Sequence, residues 1–188
     1  MKIKSLAVFC GSKNGNNPVY VNDATRLGKI LGECHITLIY GGGGKGIMKA
    51  IADSVMNYGG KVVGIIPKLL LEWEHQHEAI SELIVVEDMH TRKKKLYELC
   101  DAALILPGGF GTLDELFEML TWNQLSIHDK KIFILNSAGF YNHLIEHLRQ
   151  LEADKFLYDR LEERIHILNN PGEFISYVEP SPSAAALK

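Results

Sequence analysis

The stretch Ile36-Thr37-Leu38-Ile39-Tyr40-Gly41-Gly42-Gly43-Gly44-Lys45-Gly46 decides the fold. Its first half is a short, nearly continuous apolar run, the pattern of a strand buried on both faces. Its second half is a glycine turn that opens onto a helical pattern from about Gly46 to Tyr58, stopped by Gly59-Gly60. The same order recurs on either side. Leu6-Ala7-Val8-Phe9-Cys10 ends at Gly11-Ser12, and Asn17-Pro18 then starts a helix reaching about Glu33. Val62-Val63-Gly64-Ile65-Ile66 closes on Pro67, and residues 68–81 read as a loop with a short helix. Further strands are expected at 83–86, 102–106, 132–135 and 164–168, with helices at 89–100, 112–125, 140–151 and 171–178. Apolar strands alternating with helices predict an α/β fold: a doubly wound, Rossmann-like parallel sheet with helices on both faces. A single domain is expected over residues 1–178, followed by a disordered tail at 179–188 that is low in complexity.

Composition narrows the class of protein. The chain has 188 residues, 46% of them hydrophobic and 23% charged, which suits one globular domain and excludes a mostly disordered chain. The net charge of −3 gives no global basic field, so neither nucleic acid nor an anionic membrane is expected as a partner. No apolar run reaches the roughly 18 residues of a membrane span. Met1-Lys2-Ile3-Lys4-Ser5 carries no signal-peptide pattern, and Cys10, Cys34 and Cys100 form no CxxC pair. These features lead to an expected cytoplasmic location with reduced core thiols.

In a doubly wound sheet, ligands bind beyond the carboxyl ends of the strands, and both glycine clusters fall there. Gly41 to Gly46 contains GxGxxG between a strand and a helix, a context that favours phosphate at the helix N-terminus. The acidic residue of a dinucleotide site is missing, because Ile65-Ile66-Pro67-Lys68 stands in its place. A P-loop is excluded as well, since Gly46 and not Ser or Thr follows Lys45. The second cluster is Pro107-Gly108-Gly109-Phe110-Gly111-Thr112-Leu113-Asp114-Glu115. Thr112 and Glu115 in it also fit a helix capping box, which would leave Gly108, Gly109 and Gly111 unexplained.

His90-Thr91-Arg92-Lys93-Lys94-Lys95 is a basic run whose ordinary reading is a solvated helix face. Met89, Arg92, Leu96 and Leu99 share helical spacing, so Arg92 or Lys93 falls on the apolar stripe. A cation there needs an anion, either a phosphate or a carboxylate. His75 and His77 form an HxH pair, but without HExxH or clustered cysteines no metal is expected. Trp73 and Trp122 read as packing residues.

Taken together these stretches resemble the LONELY GUY (LOG) family, often labelled lysine-decarboxylase-like. The matching segments are Cys10-Gly11-Ser12, Tyr40 to Gly43, Met89 to Lys93, PGGFGTLDE at 107–115, and Leu120-Thr121-Trp122-Asn123-Gln124-Leu125. The segments Ile127 to Lys130, Leu135-Asn136 and Gly139-Phe140-Tyr141 match too. The resemblance implies a nucleoside 5′-monophosphate phosphoribohydrolase, acting on a cytokinin riboside monophosphate or AMP to give free base and ribose 5-phosphate. It implies Arg92 and Glu115 as the catalytic pair, with Lys93, Gly108, Gly109, Gly111, Thr112 and Thr121 binding substrate. Ser12, Gly42 and Gly43 are candidate substrate contacts within the matching stretches. Asp114 stands where many members carry Glu. Glu74 aligns with a substrate-contacting Glu when the 68–81 loop is read without a gap. Lys13 replaces a small residue common after Gly-Ser. The resemblance further implies a homodimer with sites near the interface, and no metal or organic cofactor. Two other classes stay open on the residues alone. One is a nucleotide-binding or sensing module without turnover. The other is a pyridoxal-phosphate decarboxylase, for which no lysine is singled out.

Overall fold

The computed structural model describes residues 3–71 and 76–178. Its seven strands are β1 (Ser5–Phe9), β2 (Thr37–Tyr40), β3 (Val62–Pro67), β4 (Glu82–Val86), β5 (Ala102–Ile105), β6 (Lys131–Leu135) and β7 (Ile165–Leu168). The helices among the described residues are α1 (Pro18–Glu33), α2 (Gly46–Asn57), α3 (Met89–Leu99), α4 (Phe110–Gln124), α5 (Asn142–Ala153), α6 (Leu161–Arg164) and α7 (Ile175–Val178). All strands run parallel in the order β4-β3-β2-β1-β5-β6-β7. The expected doubly wound sheet is therefore observed. Glu74, Trp73, His75 and the tail at 179–188 lie outside the described residues.

The apolar runs explain themselves once both faces are covered. Alternate residues of each central strand enter opposite cores. Leu6, Val8, Leu38, Tyr40, Leu104 and Phe133 pack under α1, α2 and α7. Ala7, Phe9, Ile39, Ile65, Ile105 and Ile134 pack under α3, α4 and α5. Strands buried on both sides have no use for polar alternation. Cys100 sits inside the second core, where burial pushes its thiol up to about 11, as suits an inert core residue.

Helix starts follow the local signals with one correction. Asn17 caps α1, accepting from the Val19 amide at 3.0 Å, with Pro18 in the first helical position. The capping box expected from Thr112 and Glu115 does not form. The N-cap of α4 is Gly109, in extended conformation, so Thr112 already lies in the first turn and Glu115 one turn further on. Glycine is an adequate N-cap.

The strand order places the functional edge. β1 through β4 wind outward in one direction, and β5 then returns to the other side of β1. Val8 pairs with both Tyr40 of β2 and Leu104 of β5. The carboxyl ends of β2, β1 and β5 are thus level, and the topological switch point lies between β1 and β5, where such sheets open a crevice.

Candidate active site

A cavity of about 310 Å³ occupies that crevice. Its wall is built from Cys10, Gly11 and Ser12 after β1, Gly41 after β2, Met48 of α2, Arg92 of α3, and Gly109 to Thr112 with Glu115 of α4. Its volume lies within the range of small-molecule sites. A second cavity of about 360 Å³ adjoins it across Gly11, Ser12 and Gly109, lined also by Lys13, Tyr20, Gly108 and Phe140.

The two glycine turns divide the work. No side chain of the N-cap residue bonds the start of α4, and Gly109 to Thr112 of that first turn line the cavity. This is the geometry that holds a phosphate or another anion. Thr112 is buried within the same turn. Gly108 is forced by contact: a methyl there would run into Thr112 Oγ1 and come within 3.0 Å of the Gly11 amide. The first turn instead supplies the floor. The Met48 amide of α2 donates to the Gly11 carbonyl at 3.3 Å and the Gly11 amide to the Pro107 carbonyl at 3.0 Å, so the loop after β1 bridges the two turns. Gly42 accepts from the His77 amide at 3.0 Å, and Gly43 pairs with Gln76. Gly41 therefore lines the cavity, while Gly42 and Gly43 are engaged by the 76–77 segment.

Arg92 is the buried cation on the α3 stripe, only 6% exposed. Its Nε donates to the Ile65 carbonyl and its Nη2 to the Gly41 carbonyl, each at 3.1 Å. Gly41 must lack a side chain because a methyl there would strike Nη2. The guanidinium is thus locked to the ends of β2 and β3 with its head at the cavity. Glu115, half-buried, reaches the same cavity from α4.

Lys93, the neighbour of Arg92, points elsewhere. Its Nζ lies 2.7 Å from Glu118 Oε2 and 3.1 Å from Asp114 Oδ2. Burial lowers the Lys93 pKa, but the hydrogen bonds to Glu118 and Asp114 outweigh it and leave it above its ordinary value. The Tyr97 hydroxyl donates to the same Glu118 oxygen at 2.9 Å. Burial, reinforced by Glu118, Glu115 and Asp114, holds that phenol far above its usual range. Neither Lys93 nor Asp114 lines the cavity. Thr121 lies almost two turns further along α4, exposed, its hydroxyl donating to the Phe117 carbonyl at 2.7 Å.

The structure thus brings Ser12, Arg92, Gly109, Gly111, Thr112 and Glu115 into one cavity, with Gly108 just behind the shared wall. It adds Cys10, Gly41, Met48 and Phe110, which the sequence reading did not single out as contacts. Cys10 and Gly41 directly follow the carboxyl ends of β1 and β2, and Met48 and Phe110 lie in the first turns of α2 and α4, so their signal was position alone. His77 of the HxH pair is buried and bonded through Nε2 to Asp53 at 2.8 Å. Burial raises the Asp53 pKa, but hydrogen bonds from Lys49 and His77 prevail and hold it below the ordinary value. Among the described residues no group of three metal-ligating side chains occurs. A pyridoxal-phosphate site does not fit either, because no lysine lines the 310 Å³ cavity among the described residues.

The chain is similar to known proteins. Residues 48–178 match a family profile described as "Possible lysine decarboxylase". The Arabidopsis thaliana cytokinin riboside 5′-monophosphate phosphoribohydrolase LOG1 is 44% identical over 83% of this chain and 73% of its own length. The probable cytokinin riboside 5′-monophosphate phosphoribohydrolase LOGL2 of Oryza sativa subsp. japonica is 39% identical over 95% of this chain and 73% of its own. Among solved structures, the molybdenum cofactor carrier protein of Chlamydomonas reinhardtii superposes with a TM-score of 0.72 at 18% identity, covering 95% of this chain and 96% of that one. The molybdenum cofactor binding protein of Rippkaea orientalis does so at 0.69 and 21% identity, covering 94% and 95%. At such identities the structural likeness speaks for the fold alone. The sequence relatives reach further: by profile and by identity along most of its length, this chain belongs to the LOG family, whose curated members carry the name cytokinin riboside 5′-monophosphate phosphoribohydrolase.

Proposed function

We propose that this protein hydrolyses the N-glycosidic bond of a nucleoside 5′-monophosphate, AMP or a cytokinin riboside monophosphate, releasing free base and ribose 5-phosphate. The observation that carries this reading is the shared cavity, where Arg92 and Glu115 meet an uncapped helix start across the switch point of the sheet. In this reading the α4 amides hold the 5′-phosphate, and its binding energy orients the ribose. The bond from C1′ to the base nitrogen breaks, and the water oxygen bonds to C1′. One water proton leaves with the base, and the other stays on the new hydroxyl. The sugar gains positive character on the way, which the Glu115 carboxylate stabilises while orienting or deprotonating the water. Arg92 balances the phosphate charge and orients Glu115. Among the described cavity residues no side chain stands out as the acid for the leaving base.

The reading includes a homodimer. Phe110, Phe117 and Thr121 of α4 and Leu125 at its C-cap share one exposed stripe, with Phe110 92% exposed where it lines the cavity. Such an apolar patch favours a protein partner, and a second copy seated there would bring a Thr121 toward a neighbouring cavity. Among the described residues no helix is long and apolar enough to cross a membrane. Cys10, Cys34 and Cys100 are widely spaced along the chain and form no CxxC pair, which favours a reducing, cytoplasmic setting. The net charge of −3 favours a small anionic substrate over a nucleic acid.

Incubation with a panel of nucleoside monophosphates, followed by chromatography of the bases, tests the activity. Free adenine and ribose 5-phosphate are expected from AMP or its N6-substituted relatives, and sedimentation of the same preparation is expected to give a dimer. Tight binding of AMP with no product would reduce the protein to a binding module. Gly108→Ala is expected to raise KM for the nucleotide about tenfold, because the methyl displaces Thr112 within the phosphate turn. An unchanged KM would remove that turn from the phosphate site.

A further inference from the structure

Gly41 to Gly44 are four consecutive glycines, the residue type that loses most backbone freedom on folding, so their turn needs support from outside. Gly64 of β3 lets the turn lie against backbone, since a methyl there would stand 2.8 Å from the Gly42 Cα. Two carbonyls of the turn are then held by different partners. Arg92 Nη2 donates to the Gly41 carbonyl at 3.1 Å. The His77 amide donates to the Gly42 carbonyl at 3.0 Å, and Gln76 bridges to Gly43 in antiparallel sense. These carbonyls belong to successive peptide planes hinged at Gly42, whose φ is +80°. Whatever fixes the Gly42 carbonyl therefore limits where the Gly41 carbonyl, and the guanidinium on it, can lie.

The His77 side chain is buried although it belongs to a connecting segment. Its Nε2 lies 2.8 Å from Asp53 Oδ1 of α2, and Lys49 holds the other Asp53 oxygen at 2.5 Å. Its Nδ1 accepts from the Ala79 amide at 3.3 Å. The Nε2–H tautomer meets both contacts at once, donating to Asp53 and accepting from Ala79. We propose that His77 is a positioning residue: anchored on Asp53, it clamps its own amide to Gly42 and so steadies the Gly41 carbonyl that holds Arg92 at the cavity. The chain of contacts runs from Lys49 and Asp53 through His77, Gly42 and Gly41 to Arg92. Its kinetic consequence rests on the hydrolase reading, but the hold on Arg92 is a property of the ligand-free protein.

The test follows hydrogen exchange of the Arg92 guanidinium protons by nitrogen-15 NMR in the full chain without ligand, assigned by their loss in Arg92→Lys. In His77→Ala exchange is expected to quicken about tenfold, the factor by which one hydrogen bond to a charged partner shifts a local opening. His77→Gln places an amide N–H where Nε2 stood and is expected to bring exchange back to within about twofold. His77→Asn imitates Nδ1 instead and is expected to behave as the alanine variant. Should His77→Ala fold poorly, Asp53→Ala, at a half-exposed position of α2, decides alone and is expected to give the same change. A change below about twofold in Asp53→Ala overturns the proposal. So does a rise shared equally by the Leu6 to Val8 amides of β1, which would make the pair a general stabiliser. For base release from AMP, kcat is expected to fall about fivefold in His77→Ala and to recover in His77→Gln. Recovery in His77→Asn as well would move the anchor from Asp53 to Ala79 and overturn the proposal. Absence of base release by the unmodified protein would sink the hydrolase reading and leave the exchange result standing.

Discussion

Glu115→Gln is expected to lower the rate of adenine release from AMP by about 10³-fold, within the range that a positioned acid–base group contributes. Glutamine keeps the size and most of the hydrogen bonding of the side chain and removes only its charge. Glu115 plays no part in capping α4, so the helix has no reason to shift. The substitution leaves the turn from Gly109 to Thr112, the proposed phosphate site, intact, so binding of AMP should change by no more than about twofold. The loss should therefore fall on kcat and spare KM, the signature of an interaction made in the transition state. Chromatography of free adenine and calorimetry with AMP measure the two sides. Release within tenfold of the unmodified protein would deprive the cavity of its proposed chemistry.

Arg92→Ala should damage both activity and fold. The guanidinium is buried and satisfies the carbonyls of Ile65 and Gly41, which the alanine variant leaves without that donor. Such losses cost about 2–4 kcal/mol in total. For a chain of this length that corresponds to a melting temperature lower by about 5–12 °C. Turnover should fall by at least about 10²-fold, because the cavity that Glu115 lines loses its buried cation. Lysine should not rescue it, since one ammonium cannot reach two carbonyls and the cavity in the planar geometry that Arg92 uses. Thermal unfolding followed by circular dichroism, beside the adenine assay, checks both. A variant that melts with the unmodified protein would show the two carbonyl bonds to be dispensable.

The lysine-decarboxylase description of the family profile finds no footing in the site. A Schiff-base chemistry needs a lysine at the reacting carbon. The cavity offers Arg92 and Glu115 instead, and Lys93 beside them is committed to carboxylates. Lys13 lines the adjoining cavity from an exposed loop.

Much of the fold was legible in the chain because it is written in short-range patterns. Runs such as Leu6 to Cys10 and Ile36 to Tyr40 can only be strands covered on both faces, and Asn17-Pro18 marks a helix start by its own chemistry. The glycines of 41–46 and 107–111 showed which edge would hold a ligand. The start of α4 was read two residues late, because Thr112 and Glu115 imitate a capping box while Gly109 ends the preceding turn without a polar side chain to announce it.

Side-chain destinations at the site were less legible. Arg92 and Lys93 are adjacent in the same basic run, and periodicity could not choose between them for the apolar stripe. About 100° of helical rotation sends one to the cavity and the other to Asp114 and Glu118. Gly42 and Gly43 lie in the motif that marked the site, yet pair with the 76–77 segment, while Gly41 reaches the cavity.

By itself, then, the sequence determined the strand and helix alternation, the two glycine turns and the residue types available for chemistry, since all of these depend on neighbours along the chain. Only the tertiary structure decided that β5 lies beside β1, which sets the turn after β5 against Gly11 and brings Glu115 and Arg92 to one cavity. The reason is that strand order comes from burying both faces of the whole sheet at once under right-handed crossovers, a condition that no local stretch encodes.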